Sequence, residues 1–273
     1  MSNATTNDGF TVVKKGKRRK PKRAPFQAPA AETPGAEDEP DEANVLRRIA
    51  EAEADLVGSA YVQNLQDVLF KSAAFCRDKD SPVIHVVCYG LGSFSRCVNA
   101  RYQLALLICI RRYLSASSAV VYDPVFTALE RRVLASLKFD VLEHNEEGKR
   151  CVKERTLFFM PHCGTPLYNS LLWANWTKTS LNNILILGNS FDTIWTNKLD
   201  RVLDEKCSFL LSVKPAVREF AIVNNFRYAD VFNDMSLHAF DGALLRDDVW
   251  LSKREPFYGK DDEIVLALRN CRV

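Results

Sequence analysis

From Ala43 to Arg77 apolar residues recur near a helical period: Val45, Leu46, Ile49, Leu56, Val57, Tyr61, Leu65, Val68 and Leu69. Gly58 falls inside this stretch and predicts a break into two helices. The pattern then changes. VIHVVCYG (83–90) is β-branched and apolar on both faces, as in a buried parallel strand. A helix is expected from Arg96 to Tyr113, a strand at AVVYD (119–123), and a helix opened by Pro124 and running to Leu137. FDVLE (139–143) reads as a short strand, TLFFMPHC (156–163) as a strand ending at Pro161, and GTPLYNSLLWANW as a helix after Pro166. NNILILGNS (182–190) is another buried strand, and 191–206 look helical. SFLLSV (208–213) and YADVFNDMSLHAF (228–240) are expected as late strands. Strand and helix alternate at least four times. That predicts an α/β fold: a Rossmann-like three-layer sandwich, its mostly parallel sheet covered by helices on both faces. Whether the strand order is methyltransferase-like or dehydrogenase-like stays open.

Charge changes the picture at the N-terminus. Residues 1–30 hold eight basic side chains against Asp8 alone, and 31–45 hold six acids; the remaining chain is near neutral, within an overall +3. With five prolines and few large apolar residues, 1–44 is expected to be a disordered basic/acidic tail before a domain at 45–273, with helices at 45–77 and a core at 82–240. KKGKRRKPKR, Lys14–Arg23, suits an importin groove; contact with nucleic acid through it would be weak and non-specific. The body is too neutral to bind nucleic acid on charge grounds. No apolar run reaches 18 residues, so no membrane span is expected, and the polar start lacks a secretory leader. Eight scattered cysteines among 273 residues suggest free thiols in a reducing compartment.

Candidate chemistry gathers where strands are expected to end. Gly90, Gly92, Ser93 and Ser95 lie in a G-x-G-x-x-S turn between strand and helix, where close backbone approach would admit a nucleotide or S-adenosylmethionine. Tyr122 and Asp123 end the next strand; Asp123 is placed to hold ribose hydroxyls, although 33 residues separate it from Gly90. The bland alternative is a tight turn without a ligand. His162 and Cys163 are candidates for a thiolate dyad or a haem contact, against a plain strand terminus. Cys88, Cys97 and Cys109 read as core, and no ligand spacing supports a structural zinc. Asn169, Asn175 and Asn189 are either ligand contacts or helix caps, and Trp173, Trp176 and Trp195 either pocket or core.

Six ordered blocks then carry a resemblance: YGLGSF (89–94), RYQLALL (101–107), VYDPVFTALE (121–130), LFFMPHC (157–163), LYNSLLWANW (167–176) and ILGNSF (186–191). Together with FNDMSLHAF (232–240) they resemble the sensitivity-to-red-light-reduced (SRR-type) domain family. The resemblance implies a regulator with protein partners, found in cytoplasm and nucleus. Its implied outputs are circadian clock-gene expression, light signalling in plant members, and haem biosynthesis. It brings a regulatory role rather than a reaction.

Overall fold

The sheet runs β3-β2-β1-β4-β5-β7-β6 in a computed structural model that describes residues 41–75, 82–250, 254–259 and 262–264. Its strands are β1 (His85–Tyr89), β2 (Ser118–Tyr122), β3 (Asp140–Val141), β4 (Thr156–Met160), β5 (Ile184–Asn189), β6 (Val217–Ala221) and β7 (Met235–Phe240). The first five are parallel, and β7 runs antiparallel to both β5 and β6. A dehydrogenase-type sheet continues with parallel strands through the sixth. The reversed β7 inserted between β5 and β6 departs from that order. Strand order turns back at β1, with β2 on one side and β4 on the other, which makes the β1/β4 boundary the switch point.

Period-two alternation assigns the two faces. In β4, Leu157 and Phe159 join the apolar layer formed with α1 (Glu42–Leu56), α2 (Ala60–Phe75), α3 (Val98–Leu114) and α4 (Ala128–Ser136). Phe158 and Met160 join the opposite layer. That layer includes residues of α5 (Thr165–Ala174), α6 (Lys178–Asn182), α7 (Phe191–Asn197), α8 (Asp200–Lys206) and α9 (Ser208–Ser212). The three-layer expectation holds.

Several boundaries differ from the sequence reading. Glu42–Asn44, assigned to the tail, form the first turn of α1, because the Asp41 carboxylate accepts from Ala43 N at 2.8 Å and caps the helix. Residues 1–40 lie outside the described residues, and with them the basic cluster Lys14–Arg23. Gly58, at φ +76, does separate α1 from α2. Pro124 does not open α4. The helix waits for a capping box in which Thr127 and Glu130 serve each other's backbone. SFLLSV forms helix α9 rather than a strand: the Asn169 Oδ1 accepts from Phe209 N at 2.9 Å and Leu210 N at 3.1 Å, satisfying amides at the helix start. A short run apolar on all sides does not reveal its period. The edge strand β6 (VREFA) went unread because it is charged and half-exposed, as edge strands often are. Among the described residues no helix is long and apolar enough to cross a membrane.

Candidate functional site

Three parallel strands deliver their carboxyl ends to one cavity of about 260 Å³ at the switch point. β1 contributes Tyr89 and Gly90, β2 leads into Tyr122 and Asp123, and the turn after β4 brings His162, Cys163 and Gly164. Val125, Leu167 and Ile264 add apolar walls. β4 ends at Met160, so His162 and Cys163 both lie in the following turn rather than on opposite faces of a strand. His162 takes φ +53, a left-handed conformation that costs a non-glycine residue about 1 kcal/mol. Gly90 also has a positive φ, +72, and a Cβ there would lie 2.7 Å from Cys163 Sγ. The close fit of β1 and β4 at their ends therefore requires glycine.

The G-x-G-x-x-S turn is held by carboxylates of the chain itself. Gly92 N donates to Asp123 Oδ2 at 2.8 Å, and Val125 N donates to Asp123 Oδ1 at 3.0 Å. Asp123 is thus anchored by backbone on both oxygens while lining the cavity. The expected ribose acid is first of all the clamp of its own loop. Ser93 Oγ, Ser95 N and Ser95 Oγ all donate to Glu130 Oε1, at 2.8, 3.0 and 2.9 Å. Ser93 and Ser95, expected to touch a cofactor, are turned instead to this fully buried carboxylate. Burial pushes the Glu130 pKa up, but hydrogen bonds from Thr127, Ser95 and Ser93 outweigh it and hold the group below its ordinary value. Neither Gly92 nor Asn189 lines the cavity. Asn189 Nδ2 donates to Cys163 O at 3.1 Å and steadies the turn after β4.

The cysteine–histidine pair does not form a dyad. Cys163 Sγ donates to Tyr89 O at 3.4 Å, and His162 Nε2 lies 3.3 Å from Val231 O. Burial, with the Asp123 carboxylate adding to it, pushes the Cys163 thiol far above its usual range. A thiol held protonated is a poor nucleophile. Cys163 should therefore alkylate much more slowly with iodoacetamide at pH 8 than the exposed Cys97 and Cys151, as read by peptide mass spectrometry; equal rates would contradict the protonated state. The exposure of Cys97 also corrects its assignment to the core. Its position as the residue before α3 explains this. Cys88 is buried and Cys109 half-buried. Among the described residues no group of three His, Cys, Asp or Glu is arranged to hold a metal ion.

Other polar candidates resolve into structure. Asn175 Oδ1 accepts from Val152 N at 2.9 Å, and its Nδ2 donates to Arg150 O and Leu171 O. Trp195 is buried, and Trp173 and Trp176 pack at the margin of the second apolar layer rather than in the cavity. Two features escaped sequence reading. Tyr89 Oη donates to Glu146 Oε2 at 2.6 Å, and Arg150 pairs with the same carboxylate, which ties the loop after β3 to the end of β1. A strap formed by residues 255–259 and 262–264 also borders the cavity. Lys149 binds Glu255 at 2.6 Å, Asn169 Nδ2 donates to the buried Tyr258 Oη at 2.7 Å, and Lys206 pairs with Asp262 at 2.8 Å. Glu263 and Ile264 then reach the cavity wall, so close that a Cβ on Gly164 would overlap the Glu263 backbone. Neither feature has a local sequence signal, whereas the Glu130 clamp has one in the T-x-x-E spacing of Thr127 and Glu130.

Comparison with known proteins agrees with the six blocks. An SRR1-like protein of Mus musculus is 39% identical over 230 residues, 73% of this chain and 92% of its own length. An SRR1-like protein of Drosophila melanogaster is 29% identical over 192 residues, 67% of this chain and 66% of that protein. Protein SENSITIVITY TO RED LIGHT REDUCED 1 of Arabidopsis thaliana is 34% identical over 166 residues, 59% of this chain and 60% of that protein. Among solved structures, the 23S rRNA methyltransferase ErmE aligns at 12% identity with a TM-score of 0.34, over 67% of this chain and 72% of that one. Nothing about chemistry follows from so distant a likeness. The SRR1 domain profile matches residues 61–239, a span that holds β1 to β6, most of β7 and nearly all the cavity walls, and the chain belongs to the SRR1 domain family.

Proposed function

We propose that this protein is a regulator acting upstream of gene expression, with circadian rhythm, light signalling and haem biosynthesis as the pathways it serves. A small molecule held in the switch-point cavity sets its state. The observation that carries this reading is the cavity itself, placed where open α/β sheets bind ligands and walled by the turns after β1, β2 and β4. The name of its Arabidopsis relative, which refers to red-light sensitivity, supports the regulatory role, and the mouse and fruit-fly relatives share the family. Methyl transfer from S-adenosylmethionine is the enzymatic alternative, favoured by the same placement. Haem suits the site less well, because the cavity is small beside a porphyrin and the Cys163 sulfur is protonated.

Val125 lines the cavity yet is 54% exposed, so Val125→Trp should block the site without disturbing the core. In cells lacking the protein, wild type should restore rhythm amplitude and haem level, while V125W should restore neither at an unchanged melting temperature. Full rescue by V125W would sink the cavity as control point. Unaltered rhythms and haem in the null cells would sink the regulatory outputs. Partners and location follow from the tail: Lys14–Arg23 engages an importin and gives a protein shared between cytoplasm and nucleus. Replacing the eight basic residues of that cluster by alanine should empty the nuclear fraction in fluorescence imaging, and an unchanged distribution would remove that role.

A further inference from the structure

We infer that the switch-point cavity selects a small, phosphate-free ligand bearing a positive charge. This rests on the cavity being the ligand site, as proposed above. Anionic groups bind where free backbone N–H groups or cationic side chains converge. In the loop after β1, four backbone donors are already committed. Gly90 N bonds to Tyr122 O, Gly92 N to Asp123, Ser95 N to Glu130 and Cys97 N to Ser93 O. Among the described residues, no lysine or arginine lines the cavity. Among the described residues the neighbouring cations are engaged elsewhere: Arg131 on Leu142 O, Arg150 on Glu146, Lys149 on Glu147 and Glu255, Lys198 on Thr165 Oγ1, and Lys206 on Asp262.

The charge on the wall is negative. Asp123 is 6% exposed and Glu263 borders the opening. Asp123 accepts two backbone N–H bonds, and a carboxylate has about four lone-pair sites, so it keeps acceptor capacity toward the cavity. Among the described residues it has no ion-pair partner. A phosphate brought here would meet uncompensated like charge in a partly desolvated site. A cation would supply the missing countercharge, beside the rings of Tyr89 and Tyr122. The volume, about 260 Å³, restricts the enclosed part to a nucleoside-sized or smaller body.

A thermal-shift and calorimetric panel on the full chain tests this with three charge classes. The cations are S-adenosylmethionine, choline and spermidine. Adenosine and S-adenosylhomocysteine lack the sulfonium charge, and ATP and NAD carry phosphates. Stabilisation should come from the cation class alone, weaken with salt, and vanish in V125W. For the matched adenosyl pair, the sulfonium should bind about ten-fold tighter than the thioether, a ratio Glu263→Gln should reduce. Binding of ATP or NAD that V125W abolishes, or equal binding of the matched pair, overturns the charge selection and leaves the cavity reading intact. No stabilisation by any class overturns both.

Discussion

Glu130→Ala should lower the free energy of unfolding by about 4 kcal/mol, among the largest effects of any single side chain outside the apolar layers. Five donors converge on this carboxylate. Ser93 Oγ, Ser95 N and Ser95 Oγ reach one oxygen; Thr127 N and Thr127 Oγ1 reach the other at 2.9 and 3.1 Å. Each charge-assisted bond contributes about 1.5–3 kcal/mol net, though they do not add fully. Alanine removes all five at once and leaves buried Ser95 without its acceptor. At this chain length the melting temperature should fall by about 10 °C. Urea titration followed by circular dichroism reads the change, and a loss below about 1 kcal/mol would contradict the clamp. The sign of the pH effect follows from the lowered pKa. Glu130 stabilises fully above the unfolded carboxylate value of about 4.3, and that contribution is lost as pH falls through the lower folded value. The gap between wild type and E130A should therefore narrow on acidification.

Gly90→Ala should cost about 3 kcal/mol from two separable sources. The left-handed backbone at φ +72 costs any L side chain about 1 kcal/mol. The rest is overlap with Cys163 Sγ, 2.7 Å from the new Cβ and held in place by its bond to Tyr89 O. Cys163→Ala removes the sulfur but not the backbone strain. The double variant should recover about 1–2 kcal/mol relative to the sum of the two singles, measured as coupling in a double-mutant cycle. Strict additivity would mean that the strand ends are not in contact. G90A should also weaken binding of any cavity ligand, because Gly90 and Cys163 both line the cavity.

Where one physical signal dominated, the sequence was a good guide. β1, β4 and β5 are buried on both faces and appear as unbroken apolar runs bounded by Gly, Pro or Asn. Their order along the chain was enough to anticipate a parallel sheet and a rim of turns. Gly90, Tyr122, Asp123, His162 and Cys163 do meet at one cavity. The partners of those residues were not legible. A serine before a helix looks the same whether it faces a phosphate or Glu130, which lies 35 residues beyond Ser95. Likewise α9 is a helix because Asn169, some 40 residues earlier, accepts its first amides. Such choices depend on contacts between distant segments, where local pattern carries no weight. β6 was missed for the opposite reason: an edge strand needs no apolar signal.

The strap that runs from Glu255 to Ile264 has a practical side. A reporter inserted directly after Ile264 would sit next to a wall of the cavity. A protein labelled at that position can fold and express and still score as inactive. Complementation and interaction experiments are therefore better built with labels kept away from this strap.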